Sequence, residues 1–462
     1  MVTLEKLPRE VIMIIVHYPA TSALFSSLWQ SPTNQNQRKC FAMMRDVKAG
    51  RTSVFSYTKN FVLAIAGNLP QSTLKPWFAF WKVLIPAMPK LRTLQWRHTH
   101  NTQYPIAWVN NFVKILGTQS NLKHLAFTIT SVPLPIDFSL EPLSALESIV
   151  IFWETGKETK PGLEPLVEER NTLISQLAAL LGRCPDLKCF RFFAPSYERG
   201  SRAPITILRS LLGGLNSLSK PLRIQEIVVQ NAIVDPEDIR LHLRHLHFLE
   251  ELSIYSRSDL LTPSRFGEIY SLLREAEIHL KFLRLDSFQI PGVMECIASY
   301  RGLEQLSINS NDHLDDSPQI LERFISSFHM HCRSLKFLGM NIRRESPWPC
   351  AIVKHLRSHA DEYPVLRELQ LRLCFTLHDV RDEKDQQLWD LLEAATRLRG
   401  LRRLECSFVE WRALRELSTD TSDDDLIEPE VYYDSQFYVF MQGIIEQFKQ
   451  THHPFFEIKL WR

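Results

Sequence analysis

LEELSI (249–254), LKFLRL (280–285), LEQLSI (303–308) and LKFLGM (335–340) follow one another in the second half of this 462-residue chain. Each carries leucine at its first and fourth positions and an apolar residue at its sixth. The last three positions alternate between apolar and polar or small, the period of a short strand with one buried face. With Ile, Val, Phe, Met, Trp or Cys allowed in place of Leu, the same pattern recurs twelve times. The other copies are LRTLQW (from Leu91), LKHLAF (Leu122), LESIVI (Leu146), LKCFRF (Leu187), IQEIVV (Ile224), LRELQL (Leu366), LRRLEC (Leu401) and FFEIKL (Phe455). A weaker thirteenth, TKNFVL, begins at Thr58. Self-similarity at a period of about 33 residues marks a repeat array.

Between the copies the apolar period changes from two to that of a helix, in WVNNFVKIL, LISQLAALLG, DIRLHLRHL, SRFGEIYSLLREA, ILERFISSF, AIVKHLRSH, DQQLWDLLEAA and FYVFMQGIIEQF. A strand, a loop, a helix and a return, repeated along the chain, predict an α/β array in which stacked repeats share one core. No single repeat can bury its apolar face alone.

The repeats resemble leucine-rich repeats of a long, irregular kind, from about residue 58 to 462. The resemblance implies an α/β solenoid with parallel strands on a concave face and helices on a convex face. It divides the chain into residues 1–50, a linker with an N-terminal capping repeat at 51–90, and the irregular solenoid at 91–462. At the ninth position of each repeat the family usually carries Asn or Cys, and here only Asn311 and Cys374 conform. Variable turns after the strands are therefore expected.

With positions one, four and six pointing inward, positions three, five and seven face the other side of the strands. There the sequence places Arg97, Phe152, Arg191, Phe193, Tyr255, Arg284, Asp286, Phe337, Arg372 and Arg403. Exposed aromatics and arginines are the residue types favoured at protein interfaces, so these ten are the candidate contacts to a target protein. Long polar stretches at 154–170, 194–204, 378–387 and 416–430 each follow a strand and precede a helix, which assigns insertions to one edge of the array.

Composition narrows the function classes. With 54 basic against 52 acidic residues the net charge is +2, so neither nucleic acid nor an anionic membrane is an implied partner. Eight cysteines without a CxxC pair predict reduced thiols and a cytoplasmic or nuclear setting rather than a disulfide framework. Phosphate-binding, metalloprotease and nucleophile-elbow motifs are missing from the sequence, so no catalytic residue, enzyme activity or cofactor is expected. His329, His331 and Cys332 in HMHC look ligand-like but lack a fourth partner at a fitting spacing, so no metal site is expected either. The histidines of HLRHLH (242–247) read as helix-surface residues.

The N-terminal LPREVIMIIVHYP (7–19) holds six successive apolar residues, Val11 to Val16. That is shorter than the about 7–15 of a secretory core and the about 20 of a membrane span. Pro8 suits the first turn of a helix. The stretch resembles the first helix of an F-box, roughly L-P-x-E-[IVL]-[LI]-x-x-I-[FLV]-x-Y-L, with Leu7, Pro8, Glu10, Val11, Ile12, Ile15, Val16 and Tyr18 on its positions. The resemblance implies a helical unit over residues 1–50 that docks on the Skp-type linker subunit of a cullin-RING (SCF-type) ubiquitin ligase. An F-box before irregular leucine-rich repeats is a familiar fungal-type arrangement, and it implies a substrate-recruiting subunit. The alternative is a non-enzymatic repeat scaffold with a decayed F-box and no ligase role.

Overall fold

The computed structural model of the chain describes residues 42, 45–51, 54–65, 79, 81–98, 106–130, 139–154, 164–194, 206–230, 232–255, 263–285, 292–310, 317–342, 347–376, 384–411 and 435–461. The chain divides into two compact units, Met1–Phe248 and Leu249–Arg462.

All thirteen copies of the repeat form strands, including the weak one at Thr58. In the first unit β1 (Asn60–Ile65), β2 (Thr93–His98), β3 (His124–Thr130), β4 (Ser148–Glu154) and β5 (Cys189–Phe193) pair in parallel in chain order. Two-residue strands β6 (Thr206–Ile207) and β8 (Ala232–Ile233) form a separate parallel pair, and β7 (Glu226–Gln230) continues the main order beside β5. In the second unit β9 (Glu251–Tyr255), β10 (Phe282–Leu285), β11 (Gln305–Ser310), β12 (Phe337–Ile342), β13 (Glu368–Thr376), β14 (Arg403–Trp411) and β15 (Glu457–Trp461) do the same.

Helices fill most of the crossovers. The first unit contains α1 (Ile106–Gly117), α2 (Glu164–Gly182), α3 (Leu208–Leu212) and α4 (Pro236–His242). The second contains α5 (Pro263–Glu275), α6 (Val293–Ala298), α7 (Pro318–His329), α8 (Trp348–Ser358), α9 (Lys384–Arg397) and α10 (Ser435–His452). Parallel neighbours in chain order, joined by crossovers of one hand, place the helices of each unit on one face of its sheet. All eight stretches with helical spacing are helical in the structure, and the short α3 and α6 are additional. Helix α2 starts at Glu164, so Glu164–Arg170, expected as inserted loop, is its first two turns, led by Pro165 where a missing N–H is harmless. Helix α9 likewise takes in Lys384–Gln387.

The alternation explains the core. From Leu91 to Cys406 the first, fourth and sixth residues of every repeat are buried; in one repeat Leu303, Leu306 and Ile308 are all 0% exposed. Each such side chain contributes about 1.5–3 kcal/mol on burial. The last repeat departs from the expectation: Phe455 is 60% exposed and its neighbour Phe456 takes the buried place.

Within each unit neighbouring repeats are joined at the start of the strands by a recurring arrangement, except that at the last step Arg402 accepts from Glu457 alone. The carbonyl of the second residue accepts two N–H groups, from the second and third residues of the next repeat. Lys59 accepts from Arg92 and Thr93, Arg92 from Lys123 and His124, Lys281 from Glu304 and Gln305, and Glu304 from Lys336 and Phe337, all at 2.7–3.1 Å. From Lys123 to Lys188 and from Glu250 to Lys336 the side chains of these second residues alternate in charge, whereas Lys59, Arg92 and Lys123, and likewise Lys336, Arg367 and Arg402, are successive basic residues. Glu147 lies between Lys123 (3.9 Å) and Lys188 (3.2 Å), Lys281 bonds Glu250 at 2.6 Å, and Lys336 bonds Glu304. The hydrogen bond from Lys188 holds the Glu147 carboxyl below its usual range, and the one to Glu250 raises Lys281.

Two histidines stitch repeats together from inside, correcting the reading of HLRHLH as surface. His242 and His245 are 1% and 0% exposed, and of the three only His247 is exposed. The Leu222 N–H donates to His245 Nδ1 at 3.0 Å. In the second unit the Leu303 N–H donates to His331 Nδ1 at 3.1 Å, while His331 Nε2 faces the Ile297 carbonyl at 2.9 Å. Each histidine stands four residues before the first leucine of its repeat, and each works as an acceptor only when neutral.

Burial, followed by the charge of Arg244, pushes the His245 pKa down from 6.5 to about 4. Between those values the unfolded chain binds a proton that the folded chain refuses, so this contribution to stability is intact above pH 6.5 and declines as pH falls toward 4. His245→Gln keeps an acceptor and removes the titration. Urea unfolding of the variant is expected to lose less stability between pH 6.5 and 4.5 than wild type; identical losses would contradict the neutral, buried assignment.

Candidate functional site: the helix-free sheet face

The side chains at positions three, five and seven line the sheet face opposite the helices. In the first unit this face carries an aromatic patch. Phe152 on β4 pairs in register with Phe193 on β5, and their rings stack at 4.7 Å with 6° between planes. Phe152 is 38% exposed. Two residues before Phe193 on β5, Arg191 ion-pairs through Nε with Glu226 on β7. Arg191 sits in register between Val150 and Val228, its guanidinium is held against the Glu226 carboxylate, and its side chain stays 42% exposed. A stacked aromatic pair is worth about 0.5–1.5 kcal/mol beyond area burial. Covering the exposed part of Phe152 by a partner would add roughly 2 kcal/mol.

The same face of the second unit is polar. The fifth-position row reads Ser253, Arg284, Ser307, Gly339, Gln370, Glu405 and Lys459 across the strands. Arg284 is exposed and has no ion-pair partner among the described residues. Phe337 does not stand out from the sheet. A Cβ on Gly339 would lie 2.8 Å from Phe337 Cε1 and 2.9 Å from Cζ, so the ring lies along its own strand over the glycine.

Two arginines expected to face a partner are engaged by the sheet itself. Arg372 is 8% exposed and donates through NH1 to Asn341 Oδ1 on the neighbouring strand at 2.9 Å. This corrects its expected exposure: the amide of Asn341 draws the guanidinium down onto the sheet. Arg403 ion-pairs with Glu405 two residues along the same strand, so it is already neutralised.

Of the ten candidate target contacts, the structure brings together Phe152, Arg191 and Phe193 and leaves Arg284 and Phe337 as separate points. Arg97 and Tyr255 lie at strand positions whose side chains are outside the described residues, and Asp286 is outside them altogether. So are Leu7, Pro8, Glu10, Val11, Ile12, Ile15, Val16 and Tyr18, together with residues 195–204 and 416–430 of the insertions.

Sequence reading missed the partners that fix these side chains: Glu226, Asn341, Glu405 and the side-chain-free surface of Gly339 under the Phe337 ring. Only the charge alternation at the second positions (LK, LE, LK, then LE, LK, LE, LK) left a visible signal. Cys184, Cys189, Cys296, Cys332, Cys350 and Cys406 are free. Burial pushes the Cys189 thiol up to about 11 and those of Cys296 and Cys406 to about 12, so these three are protonated at neutral pH. No helix among the described residues is long and apolar enough to cross a membrane.

The chain matches no protein-family model, and no curated protein matches it.

The Phe337–Gly339 contact makes a testable claim. Gly339→Ala is expected to destabilise by about 1–3 kcal/mol through overpacking. In a Phe337→Ala background the same change should cost under about 0.5 kcal/mol, because the clash partner is gone. Equal costs in both backgrounds, measured by urea unfolding, would show that the ring does not lie there.

Proposed function

We propose that this chain is a substrate-recruiting F-box subunit of a cullin-RING (SCF-type) ubiquitin ligase, built on irregular leucine-rich repeats. In this reading residues 1–50 bind the Skp-type linker and the helix-free face holds a target protein. The subunit transfers nothing itself; tethering raises the target's effective concentration at the ligase, in the cytoplasm or nucleus. The observation that carries the reading is the proline-led stretch Leu7–Tyr18 standing directly before thirteen strand-forming repeats. The repeat face adds a patch of the kind that protein partners use, Phe152 and Phe193 beside Arg191.

A second reading rests on a specific departure. Pro19 stands where the F-box pattern ends in leucine, and after Trp29 only Arg38 and Phe41 fit it. That favours a protein-binding scaffold whose F-box has decayed.

A pull-down with purified linker subunit separates the two. Wild-type protein should capture the linker, and Leu7→Ala with Pro8→Ala should abolish capture while leaving the circular dichroism of the repeats unchanged. Failure of wild type to retain linker that a standard F-box retains would leave only the scaffold reading.

A further inference from the structure

The end of α7 and the turn at Ala360–Glu362 bring together two donors close in sequence and a third from the following repeat. His329 closes α7, Cys332 follows three residues later, and Glu362 arrives from the next repeat. Their ligand atoms all lie within 4.8 Å of one another. His331, the other ligand-like residue of HMHC, is turned into the core and spends both ring nitrogens on the backbone, as described above. The trio that folding assembles is therefore not the one that local spacing suggests.

The geometry around His329 is that of a held ligand. Its Nε2 faces Glu362 Oε2 at 3.4 Å. Two ligands bound at about 2.0–2.1 Å with a tetrahedral angle between them lie about 3.3–3.4 Å apart, so this edge already has the length a zinc-sized ion requires. The other ring nitrogen, Nδ1, lies 3.3 Å from the hydroxyl of buried Tyr363, which lies 3.0 Å from His355 Nε2. The Tyr363 hydroxyl engages His329 Nδ1, which leaves Nε2 as the ring nitrogen turned toward the Glu362 carboxylate. A partner on the far nitrogen that fixes tautomer and ring orientation is also the usual second layer of a metal-bound histidine.

We propose that His329, Cys332 and Glu362 bind one divalent cation of the zinc class. One nitrogen, one thiolate and one carboxylate suit a borderline-soft ion, and the two anionic ligands balance its charge. The His329 and Glu362 side chains are 31% and 51% exposed, so the ion enters from solvent and its fourth position is left to water. Bound there, it clips the end of α7 to the turn that follows α8, tying two successive repeats on their helical side.

Cobalt(II) titration of the chelator-treated full chain tests this, because a cobalt–thiolate bond gives a charge-transfer absorption that nitrogen and oxygen ligands alone do not. One equivalent is expected to bind with that band, and zinc should displace it. Cys332→Ser should abolish the band, whereas Cys350→Ser on α8 should preserve it. Glu362→Gln, at a half-exposed position that does not endanger the fold, should weaken binding at least tenfold. Tyr363→Phe should weaken affinity about 10–100-fold without removing the band. Absence of stoichiometric binding, or binding unaffected by both Cys332→Ser and Glu362→Gln, would overturn the proposal and leave His329–Glu362 as a plain ion pair.

Discussion

Within each compact unit, a backbone carbonyl at the start of one strand that accepts two N–H groups from the next repeat is the contact on which the rest of the structure depends. It fixes where each strand begins relative to its neighbour. Because side chains alternate with a period of two, a slip of one residue would turn every buried leucine outward. The same contact sets the second-position side chains side by side, and opposite charges meet there from Lys123 to Lys188 and from Glu250 to Lys336. Exposed ion pairs add little stability each, about 0.2–1 kcal/mol, and the register holds equally where basic residues adjoin, as at Lys59, Arg92 and Lys123. The charge order thus supports the backbone order instead of creating it.

Much of this was legible in the sequence because it follows from burial. Leu303, Leu306 and Ile308 are apolar since they face helices, and the polar residues between them face away. The helical stretches were legible for the same reason, through the 3.6-residue period of helices such as α7 and α8. What stayed hidden depends on meetings between distant residues. His331 looks like a metal ligand until Leu303 N–H and the Ile297 carbonyl are seen to occupy it. Arg372 looks exposed until Asn341, 31 residues earlier, is seen to hold it down. Phe337 looks like a projecting ring until Gly339 makes room for it to lie flat. In the last repeat two phenylalanines compete for one buried place, and the pattern alone does not rank Phe455 against Phe456.

The helix-free face differs between the two compact units. In the first, Phe152, Phe193 and Arg191 combine apolar area with a directional charge, the combination that carries binding energy at protein interfaces. In the second, Arg403 is satisfied within the sheet by Glu405 and Arg372 by Asn341, while Arg284 and Glu368 are exposed without an ion-pair partner among the described residues. The side-chain chemistry that suits a protein partner is therefore concentrated at the first unit's patch. The second unit's distinctive chemistry lies on its helical side, where His329, Cys332 and Glu362 meet.

The account rests on the claim that positions four and six of each repeat face the core and position five faces away. A pair of substitutions at adjacent residues tests it most directly. Leu306→Ala is expected to destabilise the second unit by about 2–5 kcal/mol, and Ser307→Ala by under about 0.5 kcal/mol, in urea unfolding. Comparable losses at both positions, or a larger loss at Ser307, would contradict the assignment of faces on which the fold and the candidate site both stand.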